Sequence, residues 1–169
     1  GAQKNLGPSV VTAVIINKDI VDRSAKDLPS MLSYKVLAES RSLFNTPPTY
    51  SIYILGLVLE WVKNNGGLET IQKRNEQKAA LIYEAIDDSG GFYRGHADKE
   101  DRSTMNVTFR LSSEELEKTF LEKAAEKKLM GLKGHRSVGG IRASIYNAFP
   151  LEGCEILAQF MKEFSKQNG

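Results

Sequence analysis

Between Ser51 and Asn65 the chain carries Ile52, Ile54, Leu55, Leu57, Val58, Leu59, Trp61 and Val62, a helix-length run that is apolar nearly all round. A helix of that kind is buried on several sides, so it needs neighbours. It is placed to join two lobes. Asn65-Gly66-Gly67 then stops it, because glycine takes the left-handed turn that ends a helix. A domain boundary is expected at that stop, dividing residues 1–66 from residues 67–169.

The patterns on the two sides differ. Before the long helix, Ser9 to Ile16 is short, β-branched and continuously apolar, and reads as a buried strand. Asp19 to Lys26 reads as a helical turn, broken by Leu28-Pro29-Ser30, and Ser33 to Glu39 fits either strand or helix. Asn45-Thr46-Pro47-Pro48-Thr49 reads as an extended loop, since a residue before proline is pushed out of the α region. After the stop, Leu68 to Asp88 is amphipathic, with Leu68, Ile71, Ala79, Ile82 and Ile86 on one stripe. Met105 to Leu111 alternates with period two, as a half-buried strand does. Ser112 and Glu115 form a capping box for a helix to about Lys128, with Leu116, Phe120 and Ala124 inward. Gly140 to Tyr146 reads as a strand with Ile141, Ala143 and Ile145 on one face. Pro150 suits the first turn of a closing helix whose Ile156, Leu157, Phe160, Met161 and Phe164 face the core. The second part is an α/β lobe with a small, mostly antiparallel sheet.

A chain of 169 residues fits one domain, or one small domain with part of another. At 41% hydrophobic and 26% charged it has the balance of an ordinary soluble globular protein. A net charge of +2 gives no argument for nucleic acid. The longest apolar stretch, Ile52 to Val62, is interrupted by Gly56 and Glu60 and is shorter than the roughly 18 residues of a membrane span. The opening residues have no signal-peptide pattern, and a cytoplasmic protein is expected. One cysteine, Cys154, permits no internal disulfide and reads as a small buried hydrophobe. His96 has no second ligand at sensible spacing and reads as a surface-loop residue, so no metal is expected. Lys63, Lys73, Arg74, Lys78, Glu117, Lys118 and Glu122 read as solvated helix faces.

Three groups of residues carry chemistry. Lys4 stands between two amides, Gln3 and Asn5, before a Gly-Pro turn. Lysines near a terminus are commonly solvated tethers. One held in direction by small residues and a turn also suits Schiff-base chemistry, which needs a neutral amine and an electron sink. Asn45 and Thr46, before two prolines, form either a plain turn or a stiff corner of donors for a phosphate. Gly134-His135-Arg136 and Arg142 lie on a glycine-rich segment. Such a segment is a solvated loop or a site for a dianion, since arginine binds carboxylates and phosphates through a bidentate fork.

Gly1 to Pro8, Phe44-Asn45-Thr46-Pro47-Pro48-Thr49 and Lys133 to Asn147 occur in that order. Together they closely resemble the phosphoserine aminotransferase family, class-V pyridoxal-phosphate enzymes of fold type I, over essentially the whole chain. The resemblance implies that residues 1–66 are the end of the large cofactor-binding domain with its interdomain helix, and 67–169 the small C-terminal domain. It also implies an N-terminal half that is not in this sequence, and an isolated chain that is inactive. By resemblance, Lys4 forms the Schiff base with pyridoxal 5'-phosphate and then moves the proton, and Gln3 lies beside the cofactor. Asn45 and Thr46 reach across a homodimer to the cofactor phosphate of the other subunit. Arg142 takes the substrate α-carboxylate, while His135 and Arg136 hold the distal phosphate or carboxylate. The implied reaction moves an amino group between L-glutamate and 3-phosphohydroxypyruvate, giving O-phospho-L-serine and 2-oxoglutarate in serine biosynthesis. Two alternatives stand beside it: a related class-V aminotransferase with another substrate, and a non-catalytic folded fragment.

Overall fold

The computed structural model describes all 169 residues, and they divide into two compact units, Gly1–Trp61 and Val62–Gly169. The division falls inside the long helix, whereas the boundary expected from the sequence lies at the glycine stop after Gly66.

The first unit contains three helices: α1 (Lys18–Asp22), α2 (Tyr34–Glu39) and the start of α3 (Thr49–Asn64), with a single 3-10 turn at Ser30–Leu32. Local capping decides where the short helices begin. Asn17 Oδ1 accepts from Asp19 N at 2.8 Å, and Ser33 Oγ accepts from Val36 N at 3.4 Å, each satisfying an amide that the first turn leaves orphaned. The Ser33 cap settles the ambiguous segment as helix. Pro47 and Pro48 lead straight into α3, their carbonyls accepting from Thr49 N (2.8 Å) and Ile52 N (3.0 Å). Thr49, expected in the loop, is therefore the first residue of the helix.

Two expectations fail here. Ser9 to Ile16 forms no strand, and Val10, Val14 and Ile15 are exposed. Its apolar pattern is suited to a buried strand, but a strand exists only by pairing, and no strand of this unit lies beside it. Likewise α3 is not buried on several sides: Ile52, Tyr53, Leu57, Leu59 and Trp61 are exposed, and Ser51 is its only buried residue.

The second unit has α4 (Gly67–Asp87), β1 (Arg94–Gly95), β2 (Asn106–Arg110), α5 (Glu114–Glu126), β3 (Ile141–Ser144) and α6 (Leu151–Asn168). The sheet runs β1-β2-β3, with both pairs antiparallel. Val107 pairs with Ala143 and Thr108 with Arg142, so the apolar faces of both strands point the same way. They meet Ile82, Ala85 and Ile86 of α4, Phe120 and Ala124 of α5, and Cys154, Leu157, Met161 and Phe164 of α6 in one core. Phe120 is central, meeting Phe109 at 5.8 Å and Phe164 at 5.1 Å edge to face, a favoured aromatic geometry. The Tyr93 hydroxyl donates to Met161 O at 2.8 Å, and burial pushes its phenol well up. Cys154 is buried, its thiol pushed up to about 11 by burial.

Several details depart from the sequence reading. Leu68 is exposed, because it stands in the first turn of α4, one turn before the first buried residue, Ile71. Ile156 is 54% exposed, standing about 100° round the helix from Leu157. The cap of α5 is Ser113, whose Oγ accepts from Leu116 N at 3.2 Å, rather than Ser112. Pro150 is the cap of α6 rather than its first residue. The two-residue strand β1 is too short for a period-two signal. Two charged residues expected in solvent are buried. Lys78 is 0% exposed, and Glu117 is buried with Oε1 accepting from Leu111 N at 3.3 Å. A buried charge is tolerated only when partnered.

Phe120→Ala is expected to cost the second unit about 3–5 kcal/mol, the usual range for emptying a packed ring site, whereas Ile156→Ala should change stability by less than about 0.5–1 kcal/mol. Urea unfolding followed by far-ultraviolet circular dichroism measures both. Equal losses would mean that α6 is rotated from the orientation described.

Candidate functional site

In the first unit Lys4 and Gln3 occupy a turn spanning residues 3–6, and both are exposed. The turn is tied down on each side. Ala2 is buried, with its N donating to Val11 O at 2.9 Å, and Gly7 N donates to Lys4 O at 3.2 Å. The lysine is thus carried on a fixed backbone but not in a buried pocket of this unit. Asn45 and Thr46 are exposed on the corner before α3. The approach to that corner is unusual: Arg41 and Ser42 both have positive φ, 50° and 65°, which reverses the chain after α2.

In the second unit the segment from Lys133 to Gly140 folds back on itself. Gly134 N donates to Gly140 O (2.8 Å), and His135 O accepts from Val138 N (2.9 Å) and Gly139 N (2.7 Å). Glycine is required at two points. A Cβ on Gly134 would overlap the Gly139 carbonyl, and Gly140 has φ +72° with a Cβ position only 2.9 Å from Phe109 O. The loop presents His135 and Arg136 outward, both exposed, with His135 Nδ1 2.6 Å from Ser137 Oγ. They line a cleft of about 610 Å³ together with Arg110, Lys118, Lys133 and Glu114. Arg110 supports the loop from below, its Nη2 donating to Val138 O and its Nη1 3.9 Å from Glu117 Oε1.

Arg142 lies two residues beyond the loop, on β3 opposite Thr108. Its backbone is fixed, N donating to Leu132 O at 2.7 Å, and its side chain is on the face opposite Ile141 and Ala143. It does not line the His135–Arg136 cleft. The fold therefore brings His135 and Arg136 together and sets Arg142 apart on the strand. Arg142 Nε is buried and has no hydrogen-bond acceptor within the protein, a costly condition that an anion would relieve. Beside it on the same face, Ser144 Oγ and Tyr146 Oη each donate to Asn106 Oδ1 at 3.2 Å.

Lys78 and Asn75 were missed as parts of this region. Both lie on the buried stripe of α4, at the three- and four-residue spacing of Ile71 and Ile82. A cation placed on an apolar stripe was the available signal.

Comparison with known proteins places these residues in context. The family model for class-V aminotransferases matches residues 1–157. A phosphoserine aminotransferase of Geobacillus kaustophilus is 61% identical over 167 residues, covering 99% of this chain and 46% of that protein. The solved phosphoserine aminotransferase of Bacillus circulans subsp. alkalophilus superposes with a TM-score of 0.94 at 57% identity, covering 100% of this chain and 47% of that one. A phosphoserine aminotransferase from Trichomonas vaginalis, solved with bound pyridoxal phosphate, gives a TM-score of 0.80 at 36% identity over 87% of this chain and 42% of that one. The chain thus spans about half the length of the relatives it matches. With that match over most of its length, this chain belongs to the class-V aminotransferase family.

Proposed function

We propose that this chain is the C-terminal half of a phosphoserine aminotransferase, a cytoplasmic homodimer. The parent enzyme moves an amino group between L-glutamate and 3-phosphohydroxypyruvate, giving O-phospho-L-serine and 2-oxoglutarate. Residues 1–66 then complete the large domain and 67–169 form the small one. The observation that carries the reading is the buried, unpartnered Nε of Arg142, set apart from a second cationic group at His135 and Arg136. Both amino-acid substrates have two anionic ends, and two separated cationic groups suit them.

The residues fit pyridoxal phosphate as far as this chain can hold it. Lys4 offers an exposed amine on a fixed turn, and Asn45 and Thr46 offer exposed donors on a proline-stiffened corner. When bound, the cofactor supplies the electron sink for breaking the substrate Cα–H bond. Lys4 would hold the cofactor through its amine and would move the proton at the substrate Cα. Gln3 would lie beside the ring, and Asn45 and Thr46 would donate to the cofactor phosphate of the partner subunit. Arg142 grips the α-carboxylate and sets the orientation of Cα. His135 and Arg136 receive the distal phosphate or carboxylate, and the Arg136 charge disfavours a substrate with a neutral side chain. The isolated 169-residue chain is inactive on this reading, since Lys4 is open to water and the apolar faces of α3 are uncovered.

Two outcomes test the assignments in the full-length, cofactor-loaded enzyme. Borohydride reduction followed by peptide mapping is expected to place the pyridoxyl label on Lys4; a label on Lys133 would sink that role. Arg142→Lys is expected to lower kcat/KM for the glutamate half-reaction roughly 30- to 1000-fold, about 2–4 kcal/mol for a lost charged contact. Arg136→Lys should do less, because its neighbour His135 shares the distal anion. Small and equal effects in single-turnover assays would remove Arg142 from the carboxylate.

A further inference from the structure

Lys78 is the least expected residue of the second unit. It is wholly buried, and its Nζ donates to three backbone carbonyls: Ile145 (3.0 Å), Tyr146 (2.7 Å) and Phe149 (3.1 Å). Those three bonds use all the hydrogens an ammonium has. One turn earlier on α4, Asn75 Nδ2 donates to Asn147 Oδ1 at 2.8 Å. One helix therefore grips the segment from Ile145 to Phe149 at four residues. That segment is the direct continuation of β3, which carries Arg142.

Packing alone does not ask for a cation there. A methionine would fill much the same space without the penalty of burying charge. What the ammonium adds is direction, since three carbonyls must converge on one point. Their convergence fixes the backbone that turns Tyr146 onto the Arg142 face of the sheet, where Asn106 Nδ2 donates to Tyr146 Oη at 3.1 Å and Ser144 shares the same asparagine. Arg142, Ser144 and Tyr146 alternate onto that face at every second residue, so Tyr146 stands four residues from the arginine with Ser144 between them, and a shift of Tyr146 reaches Arg142 through Ser144.

We infer that Lys78 is a positioning residue for the anion contact of Arg142, locking the chain that leaves β3 so that the guanidinium keeps its direction. The inference rests on the reading of Arg142 as the α-carboxylate contact. Lys78 touches neither substrate nor cofactor on this account. It acts on both substrates alike, because both present the same carboxylate to Arg142.

The test uses the full-length enzyme loaded with pyridoxal phosphate, comparing Lys78→Met, Arg142→Lys and the double variant. Lys78→Met is expected to raise KM for L-glutamate and for O-phospho-L-serine by a similar factor, about tenfold, with kcat lowered no more than about threefold. Added to Arg142→Lys it should cost less than about a further threefold, since the two act on one contact. A purely structural lysine would lower the melting temperature and the active fraction and leave KM where it was, and that result overturns the inference. So do independent, multiplying effects in the double variant. If Lys78→Met does not fold, Asn75→Ala supplies the readout by releasing the same segment at Asn147. It is expected to raise both KM values by about threefold, and unchanged values count against the inference. If Arg142→Lys itself leaves both KM values unchanged, it is the carboxylate reading of Arg142 that fails; if Arg142→Lys is impaired and Lys78→Met is not, the positioning role alone is lost.

Discussion

The burial of one face of the β2–β3 pair is the constraint on which the second unit depends. Val107, Phe109, Ile141, Ala143 and Ile145 all enter the core around Phe120. Because side chains alternate along a strand, this burial forces Asn106, Thr108, Arg142, Ser144 and Tyr146 onto the other face. A register slip of one residue would put Arg142 into the apolar layer and Ala143 outside it, so the core itself fixes which side the arginine faces. The position of a candidate anion contact is in this sense a by-product of apolar packing. The glycine turn at 139–140 and the Lys78 clamp then fix the chain before and after it.

The first unit follows different physics. Its helices are short and locally capped, and its apolar residues are mostly uncovered: Val14, Ile15, Leu43, Phe44, Tyr50 and Tyr53 are exposed. Isolated helices of five or six residues are marginal without tertiary packing. The β-branched run of residues 9–16 and the all-round apolar α3 both carry a pattern that calls for neighbours, and within this unit the neighbours are few. The residues proposed to meet the cofactor, Lys4, Asn45 and Thr46, sit on this less packed frame.

How much was legible in the sequence follows the same division. In the second unit, helix and strand periods marked β2, β3 and all three helices closely, because each element is buried along one stripe by partners in the same unit. Ile156 and Leu68 were misjudged because a hydrophobic residue beside or before a buried stripe looks the same in sequence as one on it. Lys78 and Glu117 were read as solvated because charge is usually outside; the partners that keep them inside, backbone carbonyls of residues 145–149 and the amide of Leu111, are far along the chain or in a loop. In the first unit the strand expected at Ser9 to Ile16 was sound as a pattern, yet pairing is a property of two segments and one segment cannot show it. Of the candidate site, the loop at His135 and Arg136 was legible from its glycines and charges. The separation of Arg142 from that cleft was not, since it depends on where a turn ends and a strand begins.

Native-state hydrogen exchange on this 169-residue chain measures the central claim directly, that β3 is held by a core of its own unit while the segment before α1 is not. The amides of Arg142 and Ile145, bonded to Leu132 O at 2.7 Å and Met105 O at 2.9 Å, are expected to exchange only with global unfolding of the second unit. Those of residues 12–16 are expected to exchange at nearly the rate of an unstructured peptide. Fast exchange at Arg142 and Ile145, or protection of residues 12–16 equal to theirs, would contradict the account.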